Sequence, residues 1–318
     1  MLKVRVFVML AFCGLVAAGL ASSTGVLSAQ ANQLQFVVGA TNDKGEPVTD
    51  LKPEEVVMSE NGKPGKTVSL EPFHIPVKLT IGVDNSPDSR EALSHYRSGL
   101  KALVETLQPE IEVTLITTAP QPRMVVRPTT NREQILRGIN GFAPGVDQED
   151  RPRFTDTMVE YSQRLEKEAK GGKGIDFVPV LLMISTTANE QTSYQVPEVE
   201  KALTFLGLRK ARVMVAMTST KTGDATAVAD LNTNRQAIIA IPVTKSTRGR
   251  YEAIAVSSRL ATLLPEFGKD IAALHARHYN QFKVTVERAG GLTGPLQNPT
   301  VELTRTSLKG AVSPDGLP

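Results

Sequence analysis

Hydrophobic and polar positions fall into three textures along the chain. From Leu34 to Phe73, short β-type runs (Leu34 to Thr41, Val56 to Ser59, Thr67 to Glu71) are separated by Asn42-Asp43-Lys44-Gly45-Glu46-Pro47 and by Asn61-Gly62. Runs of that length, punctuated by Asn, Gly and Pro, predict a small antiparallel unit. From Ile75 to about Ala255, apolar runs suited to burial on both faces alternate with helical periodicity, which predicts a mostly parallel sheet flanked by helices. Val77 to Val83 is the first strand of that region. Leu93, Tyr96, Leu100, Leu103, Val104 and Leu107 then recur at helical spacing and mark one buried helix face. Ile111 to Thr118 and Met124 to Arg127 follow as strands, Asn131 to Ile139 as a short helix and Pro144 to Arg153 as an acidic loop. A polar helix spans about Asp156 to Ala169 and ends at the connector Gly171-Gly172-Lys173-Gly174. Phe177 to Ile184 is the most hydrophobic run beyond the first thirty residues and predicts a central strand. Val199, Ala202, Leu203 and Leu206 give the next helix, Arg212 to Met217 the next strand. In the stretch Ala225 to Thr247, Ile238-Ile239-Ala240-Ile241 suits strand or helix and Pro242 interrupts either, and helix is the preferred reading.

The third texture returns to strands. Leu260, Leu263, Leu264, Phe267, Ile271 and Leu274 line a helix whose main part is expected from Pro265, since proline suits a first helical position. Gln281 to Arg288 then alternates Phe282, Val284 and Val286 on one face, and Val301 to Thr304 follows a Gly- and Pro-containing loop. Forty residues bury too little surface to be stable alone. The two β segments are therefore expected to pair, giving an N-terminal β segment at 32–74, an α/β domain at 75–278 and a C-terminal β tail at 279–318.

The first thirty residues have a different logic. Lys3 and Arg5 precede an apolar run from Val6 to Ala21, and a small-residue stretch ends at Ala29-Gln30-Ala31. This three-part layout reads as a signal peptide over 1–31 that directs export to the periplasm or beyond. The run is short for a spanning helix and contains Gly14 and Gly19. Cys13 is the only cysteine, and Phe12 before it does not suit a lipoprotein signal. Removal of the leader leaves no thiol, which excludes disulfides, thiol catalysis and cysteine–metal sites. Of 318 residues 41% are hydrophobic and 22% charged, an ordinary globular composition. The formal charge is only +3, tryptophan is absent and aromatics reach 5%, so the electrostatic footprint and stacking surfaces of a nucleic-acid binder are missing. No later run reaches membrane-spanning length, so no membrane contact is expected beyond the leader.

One loop carries candidate chemistry. The first strand of the α/β region runs directly into Asp84-Asn85-Ser86-Pro87-Asp88-Ser89. Together with the Gly45-Glu46-Pro47-Val48-Thr49-Asp50-Leu51 and Glu60-Asn61-Gly62-Lys63-Pro64 turns, and with the tail of Tyr279 and Phe282 to Glu287, the chain resembles bacterial proteins related to von Willebrand factor A domains. The resemblance implies a doubly wound sheet with ligands at the carboxyl ends of its strands. It also implies a metal-ion-dependent adhesion site, in which a hard divalent cation, Mg²⁺ for preference, takes oxygen ligands and leaves one position for an acidic group of a partner. Matched residue by residue, Asp84 and Ser86 fit the Asp-x-Ser-x-Ser pattern, and Asp88 stands in the second serine's place. The threonine is Thr155 or Thr157, and Thr186 stands where an aspartate is expected after the central strand. The site is degenerate: no resident cofactor is expected, and Mg²⁺ only if Asp88 supplies the second carboxylate. Independently, Ser86-Pro87-Asp88 reads as a helix start, with a cap hydroxyl, a first-position proline and an acid near the positive dipole end.

Other motifs have simpler readings. His275 and His278 lie three apart near a helix end, without a third ligand in recognised spacing. Ser98-Gly99-Leu100-Lys101 spells a penicillin-enzyme motif but falls inside an amphipathic helix. Gly171 to Gly174 lacks the ending of a phosphate loop. The expectation is a non-enzymatic, exported module that docks a protein partner at the carboxyl edge of its sheet. The alternatives are a scaffold whose adhesion site has decayed and which binds through its β segments, and, behind both, a cryptic hydrolase.

Overall fold

The computed structural model describes residues 32–170, 175–220, 234–290, 292 and 296–317. The leader, the Gly171–Gly174 connector and the first part of the Ala225–Thr247 reading lie outside these residues. The chain divides into two compact units, one formed by residues 1–75 with 276–318 and the other by 76–275.

The first unit is antiparallel. Strand β1 (Gln33–Thr41) pairs with β11 (Gln281–Glu287), so that Phe36 faces Val284 and Val38 faces Phe282. The sheet is completed by β13 (Lys309–Ser313) beside β1 and β4 (Lys66–Phe73) beside β11. A second sheet joins β12 (Pro299–Leu303), β2 (Val56–Glu60) and β3 (Lys63–Pro64). Asn61 and Gly62 turn β2 into β3 with positive φ values of 49° and 77°, the conformation for which Asn and Gly are suited. Val38 and Ala40 from β1, Val56 and Met58 from β2, and Phe282, Val284 and Val286 from β11 share one core. Each sheet thus takes strands from both ends of the sequence, and the alternate residues Phe282, Val284 and Val286 of β11 enter the core.

The second unit is a six-stranded sheet in the order β10 (Arg250–Ile254), β9 (Arg212–Thr218), β8 (Val178–Thr186), β5 (Val77–Val83), β6 (Glu112–Thr117), β7 (Arg123–Thr129). All neighbours are parallel except β6 and β7. Strands β5 and β8 are central, as the sequence predicts for Phe177 to Ile184, and all nine residues of β8 are buried, which requires cover on both faces. The cover comes from α1 (Leu93–Thr106), α2 (Arg132–Asn140), α3 (Phe154–Lys170), α4 (Val196–Leu208), α5 (Arg235–Ser246) and α6 (Leu260–Tyr279). Leu181 and Met183 of β8 and Val213, Val215 and Met217 of β9 pack with Met158 and Leu165 of α3, Leu206 of α4 and Val243 of α5. Gly99 lets α1 approach α6: an added Cβ would lie 2.6 Å from the Leu260 carbonyl oxygen. The helix expected from Pro265 instead begins at Leu260, with Pro265 inside it. Leu260, Leu263 and Leu264 are all buried, and their packing holds the first turn in place.

The connection from β5 runs through β6 and β7 to one side of the sheet, whereas β8 continues through β9 and β10 to the other. The carboxyl ends of β5 and β8 therefore flank the point where the winding reverses, the usual ligand position in open α/β sheets.

Candidate functional site at the carboxyl edge of the sheet

Asp84 leaves β5 and remains tied to both neighbouring strands. Its N–H donates to the Ile184 carbonyl at 2.8 Å, and the Thr118 N–H donates to the Val83 carbonyl at 3.0 Å. The Asp84 side chain is 0% exposed. Its Oδ1 accepts the Ser86 N–H at 2.8 Å, while Oδ2 accepts the Thr186 hydroxyl at 2.6 Å and the Thr186 N–H at 3.2 Å. The Thr186 hydroxyl oxygen in turn accepts the Ala188 N–H at 3.4 Å. Burial pushes the Asp84 carboxyl above the usual range, opposed chiefly by the Thr186 hydroxyl.

Below this group lies a second buried chain of hydroxyls. Thr218 donates to the Ser185 carbonyl at 3.2 Å, so the contact of Tyr96 Oη with Thr218 Oγ1, also 3.2 Å, has the phenol as donor. Burial, reinforced by the charge of Asp84, holds the Tyr96 phenol well above its ordinary range.

The remaining site candidates are engaged elsewhere. Asp88 Oδ2 meets Arg151 Nη1 at 3.2 Å on a half-exposed rim. The Thr155 hydroxyl donates to Glu190 Oε1 at 2.7 Å, and its N–H to Oε2 at 2.9 Å. The Thr157 hydroxyl donates to the Arg153 carbonyl at 2.7 Å, as a helix hydroxyl commonly does to the preceding turn. Ser86 precedes a 3₁₀ turn at Pro87–Ser89, but its hydroxyl makes no capping bond. It is 0% exposed and has no hydrogen-bond partner of normal geometry. The expected cap chemistry is confined to the Ser86 carbonyl, which accepts the Ser89 N–H and hydroxyl. The histidines serve local structure: His275 Nδ1 accepts the Val77 N–H at 3.4 Å, and His278 Nδ1 lies 3.0 Å from the Gly316 carbonyl oxygen.

Sequence reasoning missed the acids that shape this edge. Glu190 and Asp156 strap the loop after β8 to the start of α3: Asp156 accepts the Thr192 hydroxyl at 2.6 Å and the Ser193 N–H at 3.0 Å. Arg153 and Arg235 lie 3.4 Å from Asp156 and 3.6 Å from Glu190, respectively. Burial pushes the Glu190 carboxyl up, with the Thr155 bonds working against it. An acid in the loop directly following a central strand was the available signal. On the other side, the Gly145 N–H donates to the Asn85 carbonyl at 2.7 Å, so the acidic loop lies over the Asp84 loop. Its tip, Val146, is 90% exposed.

A doubly wound sheet is what the sequence resemblance implies, and here its first strand ends in Asp84 at the winding reversal. The α/β unit is similar in fold to von Willebrand factor A domains. No protein-family model matches the sequence, and no curated protein matches it. Among solved structures it is similar to a von Willebrand factor type A protein from Catenulispora acidiphila, at 10% identity and a TM-score of 0.46 over 76% of this chain. The chain spans about half the length of that protein. It is also similar to BatB from Bacteroides thetaiotaomicron, at 13% identity and a TM-score of 0.42, covering 61% of this chain and 98% of that one. A third similarity is to proximal thread matrix protein 1 of the mussel byssus with a zinc-occupied MIDAS motif. It has 15% identity and a TM-score of 0.44, covering 64% of this chain and 50% of that one.

The residues present do not fit the divalent ion that the fold family implies. A hard cation needs several oxygen ligands with lone pairs free to face it. Here both Asp84 oxygens accept internal protons, Thr186 presents its proton to Asp84, Thr155 presents its proton to Glu190, and Asp88 faces a guanidinium. The Ser86 hydroxyl makes no hydrogen bond of normal geometry, and it is fully buried. Among the described residues no three His, Cys, Asp or Glu side chains are grouped to hold a metal.

Proposed function

We propose that this chain is an exported, non-enzymatic module that docks a protein partner at the carboxyl edge of its α/β sheet. The observation that carries the reading is the construction of that edge. Three loops meet at the winding reversal, are cross-tied by buried and partly buried hydrogen bonds through Asp84, Asn85, Glu190 and Asp156, and present Val146 and the Asp88–Arg151 pair outward. Rigid loops on a sheet edge suit recognition, because little conformational entropy is lost on binding. Among the described residues no helix is long and apolar enough to cross a membrane. Export rests on the leader read from residues 1–31.

A second reading, docking through the β unit, is supported by β4, an eight-residue strand that stands at the edge of its sheet among the described residues and whose Val68 is exposed. The two readings separate by crosslinking in the envelope of the native host. Val146→Asp and Arg151→Glu, at the surface of the sheet edge, are expected to abolish the crosslinked product, and Val68→Lys to leave it unchanged. The reverse pattern would replace the first reading with the second, and loss from neither surface would reject both.

A further inference from the structure

We infer that this sheet edge works without a divalent ion, the direct bond between Thr186 and Asp84 holding together the two strand ends that an ion would otherwise bridge. The inference is independent of whether the edge docks a partner. It goes beyond the resemblance, which implies a metal there.

Two acids facing one another at the ends of adjacent strands repel, and a cation between them removes the repulsion. With Thr186 in the second position there is a single acid, and the strands close on it. The Thr186 hydroxyl reaches Asp84 at 2.6 Å, at the short end of the hydroxyl hydrogen-bond range. The Thr186 N–H adds a second donor at 3.2 Å, and the Asp84 N–H returns to Ile184 in the same strand. These bonds take up three of the carboxylate's roughly four acceptor sites and tie β5 to β8 directly. The substitution at the third pattern position follows the same logic: Asp88 brings a carboxylate, but Arg151 neutralises it at the rim. The Ser86 hydroxyl is the remaining unpartnered trace of the ligand set.

The test is thermal unfolding of the purified chain in EDTA and in saturating Mg²⁺ or Mn²⁺, for wild type, Ser86→Ala and Thr186→Asp. Ser86→Ala removes a hydroxyl that makes no hydrogen bond of normal geometry, so it is expected to fold. Wild type is expected to melt at the same temperature in all three conditions, or to show a rise that Ser86→Ala shares in full. Thr186→Asp restores the second acid. It is expected to melt lower than wild type in EDTA and to rise by about 5 °C with saturating Mn²⁺, the size of effect expected from a native-state ligand at roughly 100 times its dissociation constant. A wild-type rise abolished by Ser86→Ala would overturn the inference. So would a folded Thr186→Asp chain that gains nothing from Mn²⁺, because Thr186 would then not be what replaces the ion. If Thr186→Asp does not fold, equilibrium dialysis of wild type and Ser86→Ala against Mn²⁺ decides. Equal uptake upholds the inference, and a site lost with the hydroxyl overturns it.

Discussion

Removing Arg288 should cost the β unit more than any surface substitution, because it strands a buried anion. Arg288 grips Glu60 in two bonds, Nε to Oε2 at 2.9 Å and Nη2 to Oε1 at 2.6 Å, with the two residues 7% and 2% exposed. The Gln297 N–H also donates to Glu60, at 3.0 Å. The guanidinium bonds, more than any other contact, hold the Glu60 carboxyl below the usual range and raise Arg288 above its own. Breaking a buried pair from one side typically costs about 3 to 5 kcal/mol, whereas replacing both partners with apolar groups is often close to neutral. Arg288→Met is therefore expected to lose about 3 kcal/mol or more. Glu60→Leu with Arg288→Met should lose less than Arg288→Met alone, about 1 to 2 kcal/mol, since no buried charge is stranded and the Gln297 N–H is left without its acceptor. Urea unfolding of the four chains of the cycle measures this, with amide exchange at Val38, Val284 and Val286 localising the effect to the β core. The sign with pH is fixed as well. A carboxyl lowered by folding contributes stability that is full above its unfolded value and is lost as pH falls through its folded value, so the wild-type advantage over the double variant should shrink in acid. A loss below about 1 kcal/mol for Arg288→Met, or a double variant as costly as the two singles together, would refute the reasoning.

Gly249 packs so closely on β9 that an added Cβ would lie 1.6 Å from the Val213 carbonyl oxygen, so Gly249→Ala should shift β10 and cost about 3 kcal/mol by denaturant unfolding. Glu190 predicts the opposite pH behaviour from Glu60. Its folded carboxyl is raised by burial, so stability is full below the ordinary glutamate range and falls as pH rises through the folded value. Glu190→Gln should remove that fall, read as a flatter melting temperature against pH, and an unchanged slope would mean the loop after β8 does not bury its acid in solution.

Much of this fold is legible because packing enforces periodicity. The run Phe177 to Ile184 has to be central, since nothing but cover on both faces explains so many consecutive apolar residues, and Leu93 to Leu107 repeats at the spacing its buried face needs. Strand β13 was not legible: Lys309-Gly310-Ala311-Val312-Ser313 carries almost no alternation, and its place is set by pairing with β1. Pro265 misled for a related reason, because proline marks a helix start only where tertiary contacts do not already hold the preceding turn. At the sheet edge, the residue types could be read but not the directions of their protons. Thr186 in an aspartate's place is visible in the sequence. That its hydroxyl turns toward Asp84, 102 positions earlier, depends on the register of β5 against β8. An ion site and a closed hydrogen-bonded edge can share most of their side chains. They differ in whether the oxygens face a common centre or one another, and that choice is made by strand pairing and burial, which no local motif records.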